Sequence, residues 1–513
     1  MLAVTPYPYQ AKCIAATEAG WEHHSKQLIV IPTGGGKTII FSLLAHARHV
    51  TSRKTLILAH REELIDQAIQ KLYRATGVVA GKEKAEWSAR HSDTVVVASV
   101  QSMIRRLDRW PYDHFDLIVV DEAHHALSDS YRKVLSHFDV VSDVLGVTAT
   151  PDRGDKRNLG EYFENVPCEV GLFDLIRDGF LSKIKIKTMP IKIDISGVAS
   201  VAGDYKADEL GHALEPYLEQ IAQAIMAEAA FKRTLVFLPL IATSQKFVAI
   251  CNDIGLTARH VDGVSEDRGE ILTAFAAGEF ELLSNAMLLT EGYDDPGIEC
   301  IVVLRPTRSR ALYSQMVGRG TRIAEHKKSM LLLDFLWNHE KLNLVRPAHL
   351  VAKSEDEAQS ITKLAEAKAG GERQEELDLE GLASDAQAER EKKLMKQLHE
   401  HRHRKGGLID AAEYCLRMGD TEAAEFEPAM KWEREGISEK QAALLRRYKI
   451  DPESAKGKGH ASKIIDLIFR NQRITLASEA QRSRMKQMGH PNWETATQAD
   501  ARAFFAGLRG RAA

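Results

Sequence analysis

Short apolar runs alternate with amphipathic stretches along most of the chain. Gln27–Ile31, Thr55–Ala59, Thr94–Ala98, Asp116–Val120 and Val144–Thr148 are each about strand length and rich in Val, Ile and Leu, with both faces apolar. Runs of that kind mark parallel strands covered by helices on both sides. A second series comprises Thr234–Leu238, Ala258–Val261, Leu282–Ala286, Cys300–Leu304 and Met330–Asp334. The pattern predicts an α/β architecture: two tandem doubly wound parallel-sheet domains, followed by a mainly helical region. Ligands of such sheets bind beyond the carboxyl ends of the strands, so the informative residues should follow each run.

After the first run stands Pro32-Thr33-Gly34-Gly35-Gly36-Lys37-Thr38. Three glycines let the backbone curl so that successive N–H groups point at one anion, and the helix starting near Lys37 adds its positive end. Lys37 supplies a charge for the β and γ phosphates, and the Thr38 hydroxyl suits Mg²⁺. Thr33, Gly34, Gly35 and Gly36 complete a Walker-type cradle for ATP. Ile31 departs from the pattern, which usually has a small residue there.

Asp121-Glu122-Ala123-His124-His125 follows the fourth run. Asp121 suits the Mg²⁺ site, and Glu122 suits the base that polarises an attacking water. A strand-end acidic pair capping a helix is the plainer alternative. A metal site on His124 and His125 is disfavoured, because adjacent histidines usually diverge and no third ligand stands at a suitable spacing. After the fifth run, Thr148 and Thr150 flank Ala149 and could relay nucleotide state to the acidic segment; a polar turn ended by Pro151 is the alternative. His60 and Arg61 follow the second run, and Ser99 and Gln101 the third. Each group suits a nucleic-acid phosphate at a helix start, and ordinary capping explains either equally well. Upstream, Tyr9 and Gln10 could stack on adenine and read its edge.

In the second half, Gln315, Arg319 and Arg322 are spaced to share one side of a helix. Planar guanidinium groups there could stabilise charge on a transferring phosphoryl group. Leu289–Pro296 reads on its own as a loop with turn residues.

In this order, these residues resemble the superfamily 2 helicases of the DEAH type, and most closely the DNA helicase and translocase group that includes repair helicases and restriction-enzyme motors. The resemblance covers roughly residues 7–335. It implies two RecA-like domains, ATP and Mg²⁺ as cofactors, and Tyr9 and Gln10 as adenine contacts. It also implies coupling through His124, Thr148 and Thr150, nucleotide contacts from Gly292 and Asp294, a catalytic motif holding Gln315, Arg319 and Arg322, and both of those arginines at the interface between the halves. Some relatives of this look are encoded by phages.

Composition adds little for the motor and more for the rest. The 513 residues are too many for one core. The expected divisions are a first RecA-like domain at 1–190, a Gly- and Ser-containing linker or flap at 191–215, and a second RecA-like domain at 216–345. A charged helical linker at 346–430 and a basic helical domain at 431–513 follow. No run approaches a membrane span, and the N-terminus lacks signal-peptide character. The five scattered cysteines read as reduced thiols of a cytoplasmic protein, in a prokaryotic cell or a phage-infected host.

A net charge of −3 hides an asymmetry. Residues 351–390 hold 5 Lys/Arg against 11 Asp/Glu, whereas residues 431–513 hold 17 against 9. Gly370-Gly371 interrupts the acidic stretch, and His399, His401 and His403 sit in a basic run whose default reading is a solvated or phosphate-contacting tail. Within the basic domain, Ser438-Glu439-Lys440-Gln441 recurs at an offset of 40 residues as Ser478-Glu479-Ala480-Gln481. Each unit reads as a helix opened by a Ser-x-x-Gln cap, a loop and a second helix. Arg446, Arg447, Lys456 and Lys458 cluster in the first unit and suit a polyanion. A helical cap docking on the motor or on another protein is the alternative.

The expected function is an ATP-dependent DNA helicase or translocase. Single-stranded or forked DNA is favoured over RNA, replication or repair proteins are possible partners, and no membrane is involved. Two alternatives stay open: a duplex DNA translocase that does not separate strands, and an ATPase switch or loading adaptor.

Overall fold

A computed structural model of the chain describes residues 4–59, 62–149, 159–195, 197–201, 204–286, 288–290, 293–337, 345–352, 355–369, 377–386, 408–418, 420–474, 485 and 488. His60, Arg61, Thr150, Gly292, Gly370, Gly371, the histidines at 399–403 and nearly all of the second repeat lie outside the described residues.

The first five apolar runs form β1 (Lys26–Val30), β2 (Thr55–Ala59), β4 (Val95–Ser99), β5 (Leu117–Asp121) and β6 (Asp143–Thr148). Two strands the pattern did not signal, β3 (Gly81–Glu83) and β7 (Asn165–Glu169), complete a seven-stranded sheet in the order β3-β4-β2-β5-β6-β1-β7. All of its pairings are parallel. Alternate residues of each strand enter different cores. Leu28, Leu56 and Val96 pack with Trp110, Phe115 and Phe138 on one face, and Ile29, Ile57 and Val97 pack with Phe41, Leu44 and Leu72 on the other. Burial on both faces is why the strands read as unbroken apolar runs.

The second series of runs forms β11 (Thr234–Leu238), β12 (Ala258–Val261), β13 (Leu282–Ala286), β14 (Cys300–Val303) and β15 (Ser329–Trp337). With β8 (Lys183–Ile193) and β16 (Leu377–Asp378) they give the order β12-β13-β11-β14-β15-β8-β16. Only β16 runs antiparallel to its neighbour. The two halves therefore have the RecA-like helicase architecture. A short antiparallel hairpin, β9 (Ser200–Val201) and β10 (Asp204–Tyr205), and the helix Ala207–Leu214 occupy most of the stretch expected to be a linker. Asp204 holds the hairpin to the segment after β14, accepting a 3.0 Å hydrogen bond from the Thr307 hydroxyl.

Two expectations are corrected. Cys13, on the helix Pro8–Gly20, is joined to Cys168 on β7 in a disulfide, with the Cα atoms 5.3 Å apart. Their sequence separation of 155 hides a pairing that arises because this helix lies against the edge strand. Cys251, Cys300 and Cys415 are free and buried. Part of the charged stretch also docks: Leu379, Leu382 and Ala386 are buried in the core of the second half.

The chain divides into two compact units, Met1–Gln387 and Ala388–Ala513. The described part of the second unit is helical. The helices Ala411–Arg417, Glu439–Arg447 and Lys458–Ile474 bury Cys415, Leu445, Ile464 and Ile468. The Ser-x-x-Gln cap forms as expected: Ser438 Oγ accepts from the Gln441 N–H at 3.3 Å, and Gln441 Oε1 accepts from the Ser438 N–H at 3.0 Å. No helix among the described residues is long and apolar enough to cross a membrane.

Candidate nucleotide site between the two halves

The glycine loop leaves β1 and enters the helix Lys37–Val50. Gly34 and Gly36 have φ of 85° and 72°, a left-handed conformation open to glycine at no steric cost. The structure accounts for Ile31. Its side chain is fully buried in the sheet core, and its Cγ2 would lie 2.5 Å from any Cβ at position 35. The bulk that departs from the usual pattern is accommodated by the middle glycine.

Lys37 points at the strand end where the acidic pair sits. Its Nζ is 3.8 Å from Glu122 Oε1, and His124 Nδ1 is 3.6 Å from Glu122 Oε2. Glu122 itself has φ of 53°, a strained conformation for a non-glycine residue at a site where geometry matters. Burial would push its carboxyl up, but Lys37, then His124, Arg319 and His125, outweigh that and hold it below the ordinary range. Glu122 is therefore ionised at neutral pH. Asp121 Oδ1 accepts a 3.0 Å hydrogen bond from the Glu122 N–H, fixing the turn. The adjacent histidine rings lie 4.1 Å apart between centroids, tilted by 46°, instead of diverging, and the described residues contain no group of three or more His, Cys, Asp or Glu placed to hold a metal between them. Thr148 ends β6 beside the loop, its carbonyl accepting from the Ile31 N–H at 2.9 Å.

Tyr9 and Gln10 sit against this loop. The Tyr9 hydroxyl donates to the Gly35 carbonyl at 2.8 Å, and Gln10 Nε2 donates to Tyr9 Oη at 3.4 Å. Gln10 Oε1 accepts from the Tyr7 N–H at 2.9 Å, so its oxygen is committed to opening the helix Pro8–Gly20. One aromatic neighbour, Phe180, escaped the sequence reading. Phe180 packs on Tyr7 and Tyr9 at 5.0 and 4.9 Å between centroids, and Tyr7 is 55% exposed.

The second half meets the loop directly. A Cβ on Gly318 would fall 2.6 Å from Thr33 Cβ, and one on Gly34 would fall 3.3 Å from Thr321 Oγ1. Gln315 is buried on the helix Arg310–Gly318. The expectation that Gln315, Arg319 and Arg322 share one helix face is corrected. The helix ends at Gly318, Arg319 caps it and Arg322 lies beyond its end. Carbonyls of the preceding segment orient both arginines: Arg319 donates to Tyr293 O at 2.8 Å and Thr290 O at 2.7 Å, and Arg322 donates to Tyr293 O at 3.3 Å. Asp294 accepts from Arg322 Nε at 2.8 Å and from Lys71 Nζ, on the first half's helix Glu62–Thr76, at 2.7 Å. Lys71 had no sequence signal.

Ser99 and Gln101 of the first half do not join this cluster. The Ser99 hydroxyl is buried and accepts from the Ser102 N–H at 3.1 Å, which makes it a helix cap; Gln101 is exposed. In the second unit Arg446 and Arg447 are exposed, whereas Lys458 pairs with Glu435 at 2.8 Å and Lys456 with Glu427 at 3.7 Å.

A glycine loop at the end of one parallel sheet, faced by arginines from a second, defines a two-halved helicase-type nucleotide-binding fold. Residues 3–153 match the family described as type III restriction enzyme, res subunit, and residues 217–324 match the helicase conserved C-terminal domain. The chain belongs to the superfamily 2 helicases and carries the domains of a helicase-family ATPase. It is 33% identical over 373 residues to a Saccharomyces cerevisiae protein named "Putative ATP-dependent helicase IRC3", covering 68% of this chain and 54% of that one. It is 26% identical over 389 residues to the Escherichia coli type I restriction enzyme EcoAI endonuclease subunit, covering 64% and 46%. The chain thus spans about half the length of these relatives. The fold matches the ATP-dependent type ISP restriction-modification enzyme LlaBIII bound to DNA, with a TM-score of 0.55 and 15% identity over 99% of this chain and 42% of that one.

Proposed function

We propose that this protein is an ATP-driven DNA motor, a helicase or translocase whose two halves close on each ATP. The observation that carries the reading is the split site: Lys37 and Glu122 lie 3.8 Å apart on one half, and Gly318 of the other half abuts Thr33 of the loop. Within the cleft, the buried Thr33 Oγ1 and Glu122 Oε2 make no hydrogen bond among the described residues, which fits a site built for polar ligands.

In this reading the loop N–H groups and Lys37 hold the β and γ phosphates, and Tyr9 and Gln10 border the base. Thr38 and Asp121 are the residues that would hold Mg²⁺, which supplies charge neutralisation at the phosphates. Ionised Glu122 accepts a proton from the attacking water. Arg319 and Arg322 stabilise charge on the transferring phosphoryl group, and His124 and Thr148 relay its loss. Loss of the γ phosphate removes contacts that hold the halves together, and repeated closing and opening moves the grip along a strand. Thr150 and Gly292 take coupling and nucleotide contacts from the family resemblance alone. The exposed Arg446 and Arg447 support a DNA-holding role for the second unit. DNA is preferred because residues 3–153 match a restriction-enzyme family and the restriction-enzyme subunit is similar over 64% of this chain.

An ATPase titration with single-stranded DNA, duplex DNA and RNA tests the reading. Stimulation by DNA that is abolished in Lys37→Ala and Glu122→Gln is expected. Normal turnover by either variant overturns the site assignment, and stimulation by RNA alone overturns the substrate. Strand-displacement and translocation assays run in parallel separate unwinding from movement alone.

A further inference from the structure

Lys327 lies in the turn before β15 and is 6% exposed. A buried ammonium needs its three N–H groups satisfied. Here each finds a backbone carbonyl: Pro296 O at 2.9 Å, Ile298 O at 3.0 Å and Gly320 O at 3.0 Å. The first two belong to the turn that carries Tyr293 and Asp294. The third belongs to the segment between Arg319 and Arg322. The same turn is braced from its other side, where Arg233 Nε donates to Gly297 O at 3.0 Å and Asp295 Oδ1 accepts from the Gly297 N–H at 2.9 Å.

We infer that Lys327 is a positioning residue: its ammonium clamps the Tyr293–Ile298 turn to the end of the Arg310–Gly318 helix and so fixes where Arg319 and Arg322 point. The inference rests on the roles proposed for those arginines. Both guanidinium groups are oriented by the Tyr293 carbonyl, which moves with the clamped turn. A neutral side chain at 327 leaves three carbonyls facing one another without a donor, so the two segments would separate.

The clamp also depends on charge state. Burial lowers the Lys327 ammonium to about 8; of the charged groups around it, Asp295 and Glu299 favour the proton and Arg322 and Arg233 oppose it. A neutral amine has two N–H groups for three carbonyls. Because the folded value lies below that of a free lysine, the unfolded chain binds more protons between pH 8 and 10.5, so this group's contribution to global stability rises with pH there. Activity would therefore fall while the fold holds.

The test is kcat and KM for ATP from pH 6.5 to 9.5 in the full chain with saturating single-stranded DNA, with melting temperature measured at each pH. The wild type is expected to lose kcat about tenfold with a midpoint near 8, with KM changed less than threefold and melting temperature not lowered across that midpoint. Lys327→Met is expected to show low kcat without that dependence. Should this variant fail to fold, Glu299→Gln, which removes a charge favouring the proton, is expected to move the midpoint to lower pH. A wild-type kcat that stays flat across pH 8, a midpoint unmoved in Glu299→Gln, or Lys327→Met within twofold of wild type overturns the clamp. Arg322→Ala is run alongside: full activity there overturns the arginine assignment and is distinguishable from failure of the clamp alone.

Discussion

Gly318 and Thr33 touch across the boundary between the two halves, with a Cβ on Gly318 reaching within 2.6 Å of Thr33 Cβ. The partner is the base of a short side chain on the phosphate loop, which cannot swing away. Gly318→Ala is therefore expected to wedge the halves apart. A displacement of about 1 Å at a closing active site can cost on the order of 10² in rate. Steady-state ATP hydrolysis should show kcat reduced by about tenfold or more with the melting temperature nearly unchanged, and unaltered kcat would mean that the halves close differently during turnover.

Lys71 and Asp294 form an ion pair across the same boundary at 2.7 Å, with both side chains about one-third exposed. Pairs of that exposure contribute roughly 0.2–1 kcal/mol. If closure precedes tight ATP binding, losing the pair lowers apparent affinity by the same factor, up to about fivefold. Lys71→Met should raise KM for ATP within that limit and leave kcat within threefold, and 0.5 M salt should produce a similar rise in the wild type (roughly, since screening acts on other pairs too).

The arrangement of the sheets was legible because strands buried on both faces leave unbroken runs such as Thr234–Leu238. β3, β7 and β16 were not, since edge strands such as Asn165–Glu169 are half exposed and carry Pro, Cys and Glu in no clear alternation. Lys37 and Glu122 were read from local motifs, whereas Asp294 came only from the family resemblance. Lys71, Phe180 and Lys327 carry no local signature: they act through tertiary neighbours. The expected single helix face for Gln315, Arg319 and Arg322 failed because the helix stops at Gly318, and spacing alone cannot register where a helix ends.

His460 in the second unit is fully buried, with Nδ1 accepting from the Lys456 N–H at 3.0 Å and Nε2 within 2.9 Å of Ala423 O. Burial lowers its proton affinity to about 4. The folded value lies below the unfolded one, so the stabilisation is complete above pH 6.5 and is lost progressively as pH falls toward 4. The full swing corresponds to roughly 3 kcal/mol. Hydrogen exchange of the Lys458–Ile474 helix, corrected for intrinsic rates, should quicken between pH 7 and pH 5, and equal protection at both would contradict a buried neutral imidazole.

In the proposed motor, one catalytic site is completed by residues nearly 300 positions apart, Lys37 and Arg319. The most direct test is single-turnover ATP hydrolysis by Arg319→Ala at saturating ATP and single-stranded DNA, with binding of a fluorescent ATP analogue measured in parallel. Arginines that stabilise phosphoryl transfer are worth about 10³–10⁵ in rate. A loss of about that order is expected, with analogue affinity changed less than threefold. Hydrolysis within a few-fold of wild type would contradict it.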